Sequence, residues 1–143
     1  MNEVTAKPTR DPNTTRSIEK ILGLIHQKQY HSATKKINKL LKSSPSEDRA
    51  IMLKVLIHEN KGDFGAALVE CKKALAIAPD NHQYQLKQAH LLIQVGHFEE
   101  AKKVLYAYLA EVPGDPEALS MVAVVFKKLG EKAPQLITLL RLA

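Results

Sequence analysis

Six histidines and one cysteine are the residues of this chain best suited to hold a metal or carry a nucleophilic reaction. His26, His31, His58, His82, His90 and His97 are scattered without pairing, and no His/Cys/Asp set has zinc-ligand spacing. Cys71 is alone, so no internal disulfide can form. It falls on an apolar helix face in line with Ile37 and Leu105, a position for a buried thiol rather than a reactive one. Asp63-Phe64-Gly65 spells the magnesium tripeptide of kinases, but no glycine-rich loop or catalytic loop accompanies it. Nor is there a phosphate loop or a nucleophile elbow. The spacings therefore predict no catalytic residue, no metal site and no cofactor, and a chain that is not an enzyme.

Charge allows binding chemistry instead. The net charge is +6 and the sequence pI about 9.4. Lys35, Lys36, Lys39 and Lys42 recur every three to four residues, a stripe on one helix face. No aromatic residues interleave with them and no nucleic-acid motif accompanies them, so a solvated face is expected rather than a nucleic-acid site. No apolar run is long enough to span a membrane, and the first residues lack the apolar core of a secretory signal. A cytoplasmic location is expected.

The elements that position these residues repeat. Tyr30, Phe64 and Phe98 are 34 residues apart; so are Ala33, Ala67 and Ala101, and Pro45, Pro79 and Pro113. Between these landmarks apolar residues recur at spacings of three and four, broken by glycine or proline, which predicts helices. Helices are expected from about Thr15, capped by Thr15 or Ser17, and then up to Pro45. Further helices are expected over Asp48–Lys61, Phe64–Ile77, His82–Val95, Phe98–Glu111, Pro116–Leu129 and Ala133–Leu142. The alanines mark close approaches within each helix pair, and the aromatic residues plug the turns. Residues 1–13 are polar with two prolines and are expected to form a flexible tail.

The pattern Gly62-Asp63-Phe64, Ala67, Ala74, Pro79, repeated as Gly96-His97-Phe98, Ala101, Pro113, resembles the tetratricopeptide repeat, a 34-residue helix–turn–helix unit. The resemblance implies an all-α fold: an α-solenoid of four antiparallel repeats coiled into a right-handed superhelix. The repeats would run 14–47, 48–81, 82–115 and 116–143, the last incomplete. The large apolar pair usual in the first helix appears only as Leu119 and Val122; Ser17/Lys20, Ile51/Lys54 and Gln85/Gln88 depart from it. The family uses the first helix of each pair to line a concave groove for partner segments. That places Ile18, Leu22, Ile25, Arg49, Met52, Leu53, Leu56, Gln83, Leu86, Lys87, His90, Ile93, Met121 and Val124 in the groove. The implied function is a protein–protein interaction module or scaffold, with a partner segment that is apolar or amphipathic. The subset that grips chaperone tails of the Hsp70/Hsp90 type uses five lysines, asparagines and arginines. The matching positions are Ile18, Leu22, Leu53, Gln83 and Lys87, so such a tail is not expected as a partner.

The chain end is nearly all apolar: Leu136, Ile137, Leu139 and Leu140 lack the polar outer face that a terminal repeat needs. Two further expectations follow. The chain is a docking or regulatory domain of a larger enzyme, such as a bacterial transferase, or it self-assembles through this last helix.

Overall fold

A computed structural model describes residues 11–132. Seven helices are described: α1 (Pro12–His26), α2 (Tyr30–Ser43), α3 (Asp48–Asn60), α4 (Phe64–Ile77), α5 (His82–Gln94), α6 (Phe98–Glu111) and α7 (Pro116–Leu129). No strand occurs among the described residues. Consecutive helices pack on each other, and α1 also packs on α3 and α5 on α7. The result is the expected α-solenoid, with the first helices of the pairs as one layer and α2, α4 and α6 as the other. The expected eighth helix, with Leu136, Ile137, Leu139 and Leu140, lies outside the described residues, as do positions 1–10 of the expected tail.

The helix ends explain the regularity. The three described within-pair turns and the end of α7 close with the same two backbone hydrogen bonds. In the second pair Gly62 N donates to Glu59 O (2.9 Å) and Asp63 N to His58 O (2.8 Å). The matching long-reach bonds are Gln29 N to Leu24 O, His97 N to Leu92 O and Glu131 N to Phe126 O, at 2.8–2.9 Å. This closure requires a left-handed residue at its centre. Gly62 supplies it with φ 77°, but the first turn uses Lys28 with φ 62°. A side chain in this region costs about 1–2 kcal/mol.

The first helix starts earlier than expected. Asp11, not Thr15 or Ser17, caps α1, accepting from Asn13 N at 3.3 Å, and Pro12 and Asn13 are already helical. The physical reason is the Asp-Pro pair: a carboxylate takes an orphan N–H, and proline's fixed φ suits the first turn. Side-chain oxygens of Asp63, Asn81 and Asp115 cap α4, α5 and α7, accepting from Ala66 N, Tyr84 N and Ala118 N.

The apolar cores stack along the array. One joins α1, α2 and α3 through Ile21, Ile25, Ala33, Ile37, Leu53 and Ile57. A larger one runs from Val55 through Cys71, Leu92 and Leu105 to Val125 and Phe126. Between them Ile51, Ala74, Ala78 and Tyr84 form a bridge. Ala33, Ala67 and Ala101 are fully buried, as close helix approach demands. Polar pins cross the same seams. Arg49 Nη1 donates to Thr15 Oγ1 (3.1 Å), Tyr84 Oη to Asp48 Oδ2 (2.6 Å), and Lys87 Nζ to Glu59 Oε2 (3.1 Å).

Candidate binding groove

The layer of first helices is where partner-facing residues were expected, and the structure divides that set. Ile25 and Leu53 are 1% and 7% exposed and belong to the core, which corrects their placement in the groove, whereas Met121, 8% exposed, is core on one side and borders a cavity on the other. Leu53 packs among Ile21, Ile25, Ala50 and Ile57, against α1. Arg49 is committed to structure. Its guanidinium holds Glu47 through Nε at 2.8 Å and Nη2 at 3.2 Å, and reaches back one repeat to Thr15. The Glu47 carboxylate raises the Arg49 pKa above its ordinary value, through the hydrogen bond first. Ile18, Leu22, Met52, Leu56, Leu86 and Ile93 are half-buried against the cores. Gln83 and His90 are exposed, and Val124 stands out at 43%.

The structure brings part of this set together between α5 and α7. Gln83, Leu86, Lys87, His90 and Glu117 line a cavity of about 380 Å³. His90, Ile93, Gln94, Glu117, Ser120, Met121 and Val124 line an adjoining one of about 310 Å³. His90 and Glu117 border both, so the two form one furrow. α5 supplies its residues at 83, 86, 87, 90, 93 and 94, the face that a 3.6-residue period turns to one side. Lys87 is held in place by Glu59 of α3. The furrow therefore offers an apolar strip of Leu86, Ile93 and Val124 beside a cation, an imidazole and a carboxylate. Ile18, Leu22, Met52 and Leu56 do not line it.

Glu117 and Ser120 were not foreseen. The signal for Glu117 was present: it follows Arg49 and Gln83 by the same 34-residue step. A wider depression, about 730 Å³, was not foreseen either, and it lies in the other layer. There Leu75, Ala76, Pro79, Val104, Ala107 and Ala110 line a gap between α4 and α6, with Gln85 and Gln88 of α5 and Tyr108 and Glu111 of α6. Its lining is mostly small and apolar, with Lys72 already paired to Glu100. The α5–α7 furrow is smaller but chemically varied, and variety of donor, acceptor and apolar surface is what selects a ligand.

Among the described residues no group of three His, Cys, Asp or Glu residues is arranged to hold a metal ion. Cys71 is fully buried, and burial pushes its thiol pKa up to about 12, against a smaller lowering by Lys87. Its Sγ lies 3.6 Å from Tyr84 O. No described helix is long and apolar enough to cross a membrane.

Comparison with known proteins agrees with the geometry. Residues 60–125, from the end of α3 to late α7, match the family model of the tetratricopeptide repeat. No curated protein matches the chain.

Proposed function

We propose that this chain is a binding module that holds a partner segment in the α5–α7 furrow: residues 60–125 match the tetratricopeptide repeat, a fold that generally serves protein–protein interaction. The observation that carries this is the continuous furrow of two cavities shared by His90 and Glu117. An amphipathic segment matches it: apolar side chains over Leu86, Ile93 and Val124, polar ones toward Lys87, His90 and Glu117. The furrow is built on two helices that pack on each other, and a site formed before binding limits the entropy lost on binding.

The test is affinity capture with the full chain, identification of the captured partner, and titration of its purified binding segment by calorimetry. Val124→Glu places a charge in the apolar strip, and should weaken binding roughly tenfold or more. Val69→Glu, on α4 and 55% exposed, is the control and should leave affinity unchanged. If Val124→Glu binds as the unaltered chain does, the furrow is not the site. Leu53→Glu is unsuitable, because Leu53 is core and the variant would report on folding.

A further inference from the structure

The first repeat carries a second feature that the furrow does not use. Residues 14–47 hold seven Lys or Arg against two Glu, which is +5 of the chain's net +6. In later repeats four lysines are ion-paired: Lys72 with Glu100, Lys73 with Glu70, Lys87 with Glu59, and Lys102 with Glu99 and Glu131. Helix α2 contains no carboxylate, and none of its lysines makes an ion pair among the described residues.

Three lysines with no ion pair among the described residues converge on one cleft. Lys20 of α1 and Lys36 and Lys39 of α2 line a cavity of about 340 Å³, with Ser17, Ser43, Ile21 and Leu40. Only α1 and α2 contribute; α3 packs on this pair but lines none of the cleft. Ile21 and Leu40 make an apolar floor. Ser43 Oγ already donates to Leu40 O at 3.1 Å, whereas the Ser17 hydroxyl has no partner among the described residues. The cleft thus presents three ammonium groups and one available hydroxyl donor above an aliphatic floor, with no acceptor carboxylate.

We propose that this α1–α2 cleft binds an acidic segment of a partner protein. Carboxylates meet Lys20, Lys36 and Lys39, and an aliphatic side chain of the same segment sits over Ile21 and Leu40. Charge complementarity selects the partner and speeds its approach. A nucleic acid fits less well: no aromatic ring or guanidinium lines the cleft to stack a base, and lysine is a point charge rather than a planar fork. This site is separate from the α5–α7 furrow and stands or falls independently of it.

The test titrates the full chain into a fluorescein-labelled peptide of repeated Glu-Glu-Leu, read by anisotropy. Controls are the glutamine analogue of the peptide and an oligouridylate of equal charge. Reversal of Lys20, Lys36 and Lys39 to Glu should weaken the acidic peptide roughly tenfold or more, since each exposed charge contact contributes modestly and three are reversed together. The matched reversal of Lys103, Lys128 and Lys132 should change it by less than about threefold, because none of these lines the cleft. Amide shifts on peptide addition should centre on Ser17, Lys20, Lys36, Lys39 and Ser43. If the reversed triple loses helical signal, the Lys→Gln triple is compared instead. Equal weakening by both triples overturns the proposal, as do shifts centred on α5 and α7. Tighter binding of the oligouridylate than of the acidic peptide also overturns it, in favour of nucleic acid.

Discussion

Removing one hydroxyl should loosen the seam between the second and third repeats. Tyr84 Oη donates to Asp48 Oδ2 at 2.6 Å, and Asp48 is only 3% exposed. That length belongs to a charge-assisted bond, stronger than one between neutral groups. Tyr84→Phe keeps the ring against Ile51, Ala74 and Ala78, so packing changes little and the hydrogen bond is what is lost. Bonds to charged groups contribute about 1.5–3 kcal/mol. We therefore expect a destabilisation of about 2 kcal/mol, or roughly 6 °C in Tm for a chain of this size. Urea unfolding followed by circular dichroism measures it, and an unchanged m-value shows that the native state has not loosened. Assignment to this pair needs a double-mutant cycle. In an Asp48→Ala background, Tyr84→Phe should cost less than about 0.5 kcal/mol, because its acceptor is already gone. A full 2 kcal/mol loss in that background would refute the reasoning, as would a loss below about 0.5 kcal/mol in the parent chain.

Three other outcomes follow from single positions. Lys28→Gly should stabilise the chain by about 0.5–1 kcal/mol, since relief of the left-handed strain exceeds glycine's extra chain entropy; calorimetry showing a lower Tm would refute it. Gly62→Ala should do the reverse, by about 1 kcal/mol, because an added Cβ meets nothing within 4 Å and only backbone strain is introduced. Cys71 should resist iodoacetamide at pH 8 in the native chain and react in urea. Moving its pKa from 9.0 to about 12 lowers the thiolate fraction on the order of a thousandfold, before access is considered. The same shift gives a pH dependence with a definite sign. The folded chain holds the thiol proton more tightly than the unfolded one, so this contribution is intact below pH 9.0 and is lost as pH rises toward 12. It changes by roughly 1 kcal/mol per pH unit in that window. Cys71→Ala should flatten that part of the stability profile, and a profile of unchanged slope would count against it.

The periodic landmarks made the helices legible, because each has a local mechanical role that does not depend on its neighbours' rotation. Gly62 and Gly96 end helices by their own backbone conformation, and Pro79 and Pro113 prevent continuation. The spans from Phe64–Ile77 to Pro116–Leu129 follow from these alone, apart from single residues at helix ends. Where a landmark is replaced, the landmark rule loses its grip. Lys28 takes the left-handed position of Gly62 with a residue type that gives no hint of it. Asp11-Pro12 opens α1 inside a stretch whose polarity suggested a tail.

The binding face was harder to read for a different reason. Helix α3 packs on α1, α2 and α4, so it has core on several sides. Ile51, Leu53, Val55 and Ile57 are all buried, a two-residue alternation round a helix that no single apolar stripe describes. An excess of apolar residues on α3 therefore meant more core, not more groove. The furrow lies instead one repeat on, between α5 and α7, where α5 alternates buried Ala89, Leu91 and Leu92 with exposed Gln83, His90 and Gln94. Polar residues on a first helix, rather than apolar ones, mark its open face. The same rule points to α1 and α2, where lysines without carboxylates surround a small apolar floor. In both places polar side chains stand beside exposed or half-buried apolar ones that the helix seams do not cover.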